Sequence, residues 1–319
     1  MLTRHAITRR ADKDGVDAAV VERDYVLAHI VAQLHRVRLS DGGRLVFKGG
    51  TALRLVHIGS YRYSADLDFT VIDASSDSAV SAMADVLEAA RRHVDLPLLE
   101  LTAGSSPVIE YIGPLEASKP RRIKVDISES EVVESVERRT ILLDAWSDLP
   151  QPIPFDVYSI EEIAAEKVRC IIQRVQCRDL YDIFRLVEDA GVSLADIRPR
   201  FERKAEAKGI DPASFEERFN GRLDRYKGRW LTEMSEHVAD PPRLEDVVRV
   251  VRRHLRHATL IGTYPSSPVA RPLPSTRRWI NRGTRSDTAG LVLVPNDGLR
   301  SRGSPLSSRP RPHMPRRTG

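Results

Sequence analysis

The sequence predicts an α/β domain followed by a mainly helical domain. Short apolar runs typical of strands alternate with amphipathic helical stretches as far as about residue 150. After the proline-rich stretch from Pro150 to Pro154, helical periodicity continues to His257 with little sign of further strands. These observations divide the chain into an α/β domain at 1–150, a helical domain at 151–261 and a tail at 262–319.

The individual elements follow from the same periodicity. Apolar residues at helical spacing from Asp17 to Arg38 predict an amphipathic helix that packs on the sheet. The next elements, in order, are a strand at 45–47, a helix at 51–58 ending at Gly59, a strand at 67–72, a helix at 78–94 and strands at 108–112 and 123–127. In the second domain, one further strand is indicated at 155–158, and helices account for the rest.

Composition favours a soluble globular protein of the cytoplasm. The 319 residues are 41% hydrophobic and 30% charged, and the length favours two domains over one. Neither a signal peptide nor an apolar run of membrane-spanning length is predicted, so no membrane association is expected. The two cysteines, Cys170 and Cys177, lie in one predicted helix, which indicates neither a disulfide framework nor a zinc site.

The net charge of +5 is distributed unevenly. From Gly262 onward there are eleven arginines, no lysine and two aspartates, so the preceding residues carry a net charge of −4. Nine of the twenty prolines also fall there, which predicts a disordered tail that either binds RNA phosphates or is only solvated. Within the folded part, the basic clusters at 121–124 and 198–208 are candidate RNA contacts.

The stretch FKGGTALRLVHIGSYRYSADLDFTV places acids at the start of a predicted strand. Asp66 and Asp68 share one face of that strand, while Leu67 and Phe69 form the apolar face. Two carboxylates about 7 Å apart repel each other unless a cation intervenes, and a divalent metal suits oxygen ligands so placed. The alternative is a solvated strand edge.

Upstream of these acids lies a candidate phosphate site. Gly49, Gly50 and Thr51 stand between a predicted strand and a helix start, where backbone N–H groups and the helix dipole favour an anion. Alone, the triplet is more often a plain turn. A third acid, Asp126 in RRIKVDISES, lies on a later strand, and three strand-borne carboxylates can hold two metal ions. The alternative for Asp126 is an ion pair with Arg122 or Lys124.

A second motif opens the helical domain. Ser159 and Glu162 form a capping-box pattern. Lys167 falls on the apolar face of that helix, where its amine either reaches solvent or contacts a phosphate. Arg178 and Asp182, four residues apart, are expected to form an ordinary helix ion pair.

Together these residues resemble the polymerase-beta-type nucleotidyltransferase superfamily. More narrowly, FKGGTAL…YRYSADLDF, IKVDIS and EEIAAEKVRCIIQRVQCRDLYDIF are similar to the AbiEii/AbiGii-type nucleotidyltransferase toxins, which include the MenT toxins. The resemblance covers roughly residues 21–188. It implies a polymerase-beta-like domain with a mixed sheet, and a helical domain that closes over the nucleotide cleft.

The resemblance also implies an activity and its ligands. The expected reaction is metal-dependent transfer of a nucleotide from an NTP to an acceptor, in relatives a tRNA 3′ end, with toxicity checked by an antitoxin encoded nearby. Magnesium is the expected ion, with manganese as the alternative. Two other functions stay open: transfer to a small molecule or a protein hydroxyl, and a nucleotide-binding module without chemistry.

The candidate site residues fall into two sets. Asp66, Asp68 and Asp126 are the expected metal ligands, with Asp126 also a candidate base, and Lys167 and Asp182 match further catalytic motif positions. The expected nucleotide-binding residues are Lys48, Gly49, Gly50, Thr51, Arg62, Ser64, Glu162 and Lys167. His57, on an apolar helix, is expected to be a packing residue.

Overall fold

The fold is built on a seven-stranded mixed sheet. The computed structural model describes residues 2–262 except 103, 105–106 and 116–117, so the predicted disorder of the tail from 263 lies outside the described residues. The strands are β1 (Arg44–Lys48), β2 (Leu67–Ile72), β3 (Leu98–Thr102), β4 (Val108–Ile112), β5 (Arg121–Ser128), β6 (Val136–Arg139) and β7 (Phe155–Tyr158). Their order across the sheet is β3-β4-β5-β2-β1-β7-β6.

Strand pairing brings the two segments that carry Asp68 and Asp126 to the centre of the sheet. β2 runs antiparallel to β1 and parallel to β5, while β1 is also parallel to β7. The outer pairs β3–β4, β4–β5 and β6–β7 are antiparallel. In this register Asp68 is opposite Lys48 on one side and Asp126 on the other. The mixed sheet predicted from the motifs is therefore confirmed.

Helices precede, connect and follow the strands. They are α1 (Arg4–Asp14), α2 (Ala18–Val31), α3 (Gly49–Ala52), α4 (Ser76–Val94), α5 (Ile160–Gln173), α6 (Cys177–Glu188), α7 (Leu194–Ala207), α8 (Phe215–Asn220), α9 (Leu223–Ser235) and α10 (Leu244–His257). A π-helical stretch, Leu53–Ile58, continues α3 and ends at Gly59. Among the described residues, no helix is both long and apolar enough to cross a bilayer.

Most predicted elements are present, and the differences have local causes. The bounds of β2, β4 and β7 agree with the prediction. α2 ends at Val31, earlier than predicted, because the chain then tightens into a short 3₁₀ turn. Three elements were not predicted: α1, β3 and β6. α1 buries only Ile7 and Ala11, so its apolar pattern is too sparse to stand out.

The core side of β2 is the apolar face that alternation predicted. Leu67 and Phe69 are buried, and the Phe69 ring lies 5.4 Å from that of Phe47 on β1. Thr70, on the aspartate face, is also buried, and its hydroxyl lies 2.8 Å from that of Tyr158. All described residues fall in one compact unit, and the boundary near residue 150 stays an interpretation of the sequence pattern.

Candidate active site

An open cleft lies between the aspartate face of the central strands and α5. Its volume is about 430 Å³. The lining comes from β1, β2, β5, the segment after β5, α5 and the end of α7: Lys48, Gly49, Asp68, Lys124, Asp126, Ile127, Ser128, Glu131, Ile163, Glu166, Lys167, Arg169, Cys170, Gln173, Arg174 and Lys208. Six of these side chains are cationic and four acidic, so the cleft carries a net positive charge. Five predicted site residues line it: Lys48, Gly49, Asp68, Asp126 and Lys167.

The structure brings two of the three predicted metal-ligand aspartates together. Asp68 and Asp126 are paired in register on parallel strands, so their side chains share one face at neighbouring positions. Asp126 contacts the ammonium of Lys124 at 2.6 Å, which is the alternative that the sequence left open. Asp66 precedes β2, and its carboxylate contacts Arg178 of α6 at 3.1 Å. The third acid is thus held by the helical half.

Asp68 is a half-buried carboxylate without a hydrogen-bonded partner. No described residue donates a hydrogen bond to its side chain. Burial raises the pKa of Asp68 to about 6; Lys167 and Lys48 oppose the increase, and the charges of Asp66 and Glu166 add to it. A cation placed beside this carboxylate would therefore relieve a real electrostatic cost.

The glycine pair forms the first turn of α3, which begins two residues before the predicted start. Gly49 has φ of 80°, a conformation that favours glycine, and a Cβ there would overlap the carboxylate of Asp68. A Cβ on Gly50 would lie 2.6 Å from the guanidinium of Arg62 and 3.1 Å from Ser64 Oγ. Lys48 at the N-cap makes no side-chain capping bond, so the first-turn amides keep no side-chain partner from that residue.

Along the α5 wall of the cleft and behind it, five residues form a row of alternating charges, which we call the ion chain: Arg62, Asp182, Lys167, Asp179 and Arg174. Arg62 donates two hydrogen bonds to Asp182, of 2.6 and 2.7 Å. Lys167 lies 2.8 Å from Asp182 and 2.7 Å from Asp179, which Arg174 contacts at 2.8 Å. Both aspartates are fully buried. The ion chain therefore links the loop before β2 to α5 and α6.

The charges of the ion chain are stabilised in their ionised forms. Although burial opposes ionisation, Arg62 and Lys167 hold the pKa of Asp182 well below its usual value. Burial likewise disfavours the ammonium of Lys167, but Asp179 and Asp182 raise its pKa above the usual value. The ordinary helix pair expected between Arg178 and Asp182 does not form, because Asp182 is engaged by Arg62 and Arg178 by Asp66.

Glu162 lies on the side of α5 away from the cleft. Its backbone N–H donates to Ser159 Oγ at 3.1 Å, as a capping box requires. Its side chain is fully buried and, instead of returning to the cap, pairs with Lys204 at 2.6 Å and Arg200 at 3.2 Å. The geometry gives Glu162 a role in joining α5 to α7.

The other predicted nucleotide-binding residues are engaged within the protein. Thr51 Oγ1 donates to the carbonyl of Asp66 at 2.5 Å. Lys48 is buried, with its ammonium 3.2 Å from Glu166. Ser64 is buried beside the glycine pair. His57 donates to the carbonyl of Tyr158 at 3.0 Å, and burial lowers its pKa to about 4, consistent with the predicted packing role.

Two adjacent carboxylates of the cleft could supply part of the coordination of a magnesium ion. Within the described ranges, no group of three or more His, Cys, Asp or Glu side chains is arranged to hold a metal. Magnesium rarely uses such cages and is more often held by one or two carboxylates together with substrate phosphates. Asp68 and Asp126 supply two adjacent carboxylates, and the unpartnered, half-buried state of Asp68 suits a cation.

Several charged lining residues were not singled out from the sequence. Glu166, Arg169 and Arg174 belong to the α5 region beside Lys167. Arg174 follows that lysine by seven residues, a spacing that shares one helix face, whereas Glu166 and Arg169 are one and two residues away, so helical spacing does not relate them to it. Lys208, at the end of α7, contacts Glu131 at 3.1 Å; the sequence indicated it only as part of the basic cluster at 198–208, and no spacing relates it to the motifs.

Carboxylates neutralise both basic clusters that the sequence indicated for RNA. In the first, Arg121 contacts Glu22 at 3.0 Å and Arg122 contacts Glu110 at 2.8 Å. In the second, the pairs are Arg198–Glu202, Arg200–Glu162, Arg203–Glu134, Lys204–Glu162 and Lys208–Glu131. The arginines and lysines of these two clusters therefore contact a nucleic acid only by exchanging a carboxylate partner.

Comparison with known proteins gives one family and several solved structures. The family model described as nucleotidyl transferase AbiEii toxin, type IV TA system, matches residues 33–253. The chain is similar to MenT4, a nucleotidyltransferase toxin of Mycobacterium tuberculosis H37Rv (19% identity over 79% of this chain and 99% of that one, TM-score 0.45). It is also similar to an antigenic nucleotidyltransferase-like protein of Paracoccidioides brasiliensis (14% identity over 60% of this chain and 93% of that one, TM-score 0.33). No curated protein matches the chain.

Proposed function

Because the chain belongs to the AbiEii family of nucleotidyl transferase toxins of type IV toxin–antitoxin systems, as its motifs predicted, we propose that it moves a nucleotide from an NTP to an RNA 3′ end. The acceptor that the family resemblance implies is tRNA. Family membership also implies an antitoxin partner, and we expect its gene to lie next to that of this protein.

One observation carries the proposal: an unpartnered aspartate and its in-register neighbour face a cationic wall within one cleft. Asp68 and Asp126 supply negative charge at the sheet, while Lys124, Arg174 and Lys208 supply positive charge around it. A metal-bound triphosphate needs both signs of charge within one site, because its cation and its phosphate oxygens bind opposite partners.

The triphosphate is held by exposed cations and by the first turn of α3. The side chains of Lys124 and Asp126 are 53% and 49% exposed, so their ion pair is weak and a phosphate can replace the carboxylate. Arg174 is 47% exposed and would contact a phosphate while it stays paired with the buried Asp179. The backbone N–H groups of Gly49, Gly50 and Thr51 start a helix, where the dipole favours an anion.

Asp68 and Asp126 would hold the magnesium ion, and Asp66 would join them after leaving Arg178. When bound, the ion supplies Lewis-acid stabilisation of the charge that develops on the transferring and leaving phosphates. The acids themselves orient the nucleotide against the sheet. As an alternative to holding the ion, the half-exposed Asp126 would accept the proton of an acceptor hydroxyl.

The ion chain positions these groups, and of its members only Arg174, at its exposed end, also reaches the triphosphate. The ammonium of Lys167 is engaged by Asp179 and Asp182, and it keeps the wall beside Asp68 positive through space. Asp182 fixes Arg62 against Gly50 and so fixes the glycine turn. Both are positioning residues in this proposal.

The test is a labelling experiment with four substrates. Purified protein is incubated with each α-labelled NTP, Mg²⁺ and total RNA, and the label is followed into RNA, into protein or into small molecules. We expect label in RNA from one NTP, lost with EDTA and with Asp68→Asn. The exposed Asp85→Asn serves as the charge-matched control and should label as the wild type does.

Other destinations of the label would decide against this acceptor. Label in protein would support transfer to a protein hydroxyl, and label in a small molecule would support that class of acceptor. Nucleotide binding with no transfer in any fraction would support a binding module without chemistry.

A further inference from the structure

Three arginines at the junction of α8 and α9 form an unneutralised cluster, which we call the arginine cluster: Arg218, Arg222 and Arg225. Among the described residues, no carboxylate lies within ion-pair distance of any of them. Arg218 donates to Ser214 Oγ at 2.8 Å, and Arg222 to the carbonyl of Arg218 at 2.8 Å. The Nε of Arg222 is buried and has no hydrogen-bond partner. This N–H group therefore lacks an acceptor.

The arginine cluster is unlike the basic clusters described above. Those pair with carboxylates, as expected in a folded part with a net charge of −4. Here burial, together with the positive charges of Arg218 and Arg225, lowers the pKa of Arg222. An anion bound at the arginine cluster would offset this repulsion.

The arginine cluster continues the cationic wall of the cleft. Arg222 Nη2 donates to the carbonyl of Gln173 at 3.5 Å, and Gln173 lines the cleft. The adjacent Arg174 also lines it and is half exposed. Arg252 of α10 reaches the same junction through Asn220 at 2.5 Å. Positive charge thus extends from the wall of the cleft to the surface of α8 and α9.

We infer that the arginine cluster binds phosphates of an RNA strand whose 3′ end lies in the cleft. The identity of the strand rests on the proposed function. Guanidinium groups bind phosphate in a planar, two-bonded geometry, and unpaired arginines release counterions from a nucleic acid without first losing a carboxylate partner. The polymeric phosphate backbone fits a track of charge longer than one triphosphate.

The test measures RNA binding against salt. A fluorescent RNA hairpin with a single-stranded 3′ end is titrated with full-length wild type, with the Arg222→Gln/Arg225→Gln variant and with Arg4→Gln/Arg9→Gln, which removes two exposed charges from α1. We expect the first variant to bind roughly a hundredfold more weakly, and its log–log salt slope to fall by about 2. The α1 control should match the wild type.

A single variant guards against misfolding. Arg225 is exposed, so Arg225→Gln should fold normally and lower the slope by about 1. NTP affinity should be equal in all variants. Unchanged RNA affinity and slope in both cluster variants would overturn the inference, as would wild-type protein that binds an acidic polypeptide but not the hairpin.

The outcomes separate this inference from the proposed function. If the wild type labels RNA and the cluster variants bind RNA equally well, the role of the arginine cluster in RNA binding is refuted, and the proposed transfer reaction is kept. Wild-type protein that binds RNA through the arginine cluster but transfers no nucleotide to it would refute the proposed reaction and leave the cluster assigned.

Discussion

Asp68 in the cleft and the two aspartates of the ion chain carry the same chemical group, but the ion-chain carboxylates are paired with cations and that of Asp68 has no hydrogen-bonded partner within the described part of the chain. Asp179 and Asp182 are fully buried, and each is held by two cations at 2.6–2.8 Å. Asp68, only half buried, has no hydrogen-bond donor among the described residues, and burial raises its pKa to about 6. The paired acids fix the shape of the site, whereas the unpaired acid is the one left to react with a ligand.

This difference implies that removing a charge has opposite consequences in the two places. In the ion chain, a deleted partner leaves a buried charge uncompensated, which costs stability. In the cleft, a deleted carboxylate removes a charge that the fold tolerates poorly, which gains stability and loses function. Four substitutions test the contrast, in order of decreasing effect on the free energy of unfolding.

The largest effect is expected for Lys167→Ala. Loss of its ammonium leaves Asp179 and Asp182 short of a buried partner, so we expect the free energy of unfolding to fall by about 3–5 kcal/mol. Chemical denaturation measures it, with the exposed Lys227→Ala as a near-neutral control. An unchanged denaturation midpoint for Lys167→Ala would show that the buried acids do not need the ammonium. It would then favour the alternative from the sequence, in which Lys167 contacts a phosphate of the nucleotide.

Gly49→Ala probes the junction of the two regions. A Cβ at φ of 80° is strained and would push Asp68 from its place, and we expect a loss of about 1–3 kcal/mol together with loss of transfer. A Cβ added at Gly228, inside α9, would meet no atom within 4 Å. Gly228→Ala should therefore gain about 0.5–1 kcal/mol in the same denaturation measurement. Similar stabilities for the two variants would contradict the close contact at Gly49.

Asp68→Asn should stabilise the protein while abolishing transfer. Because the folded-state pKa of about 6 exceeds the usual value of 3.8, the folded state binds the proton more tightly, and ionised Asp68 destabilises the fold above pH 6. We expect a gain of about 1–2 kcal/mol at pH 7 by chemical denaturation, discounted for solvent in the cleft. The gain should shrink as pH falls from 6 to below 4. A loss of stability at pH 7 would mean that the carboxylate has a partner.

The smallest effect is expected for Lys124→Gln. Its pair with Asp126 is half exposed and worth about 0–1 kcal/mol, so thermal unfolding should hardly change. Removing this competing cation should, however, tighten the binding of Mn²⁺, which electron paramagnetic resonance can titrate. Equal Mn²⁺ affinity in this variant and the wild type would show that the ion binds away from Asp126. Arg122→Gln, on the same strand, serves as the control and should leave the Mn²⁺ affinity unchanged.

How much the sequence could predict follows the same division. Alternation identified the apolar face of β2, and Asp68 and Asp126 met as neighbours because both lie on predicted strands. The ion pair between Asp66 and Arg178 was not predictable, because the two residues are more than a hundred positions apart in the sequence. Helical spacing suggested Asp182 as the partner of Arg178 instead. Helical periodicity placed Lys167 on the apolar face correctly, but it cannot report which buried acids approach from α6.

Basic clusters show the limit most clearly. The runs at 121–124 and 198–208 have the higher local density of positive charge, yet tertiary contacts supply carboxylates to both. Arg218, Arg222 and Arg225 are interspersed with acids in the sequence, and only the folded arrangement leaves them unpaired. Charge content can be read along a chain, whereas charge neutralisation depends on three-dimensional neighbours.

The ion chain also constrains how this protein can change over generations. Arg62 comes from the strand-rich half, and its partner Asp182 from the helical half, so neither can be replaced alone without leaving a buried charge. During evolution, the residues of the ion chain would therefore have to be substituted together or be kept unchanged. A chimera spliced near residue 150 would fold only if its two parents carried the same order of charges, and the two halves are therefore expected to be inherited together.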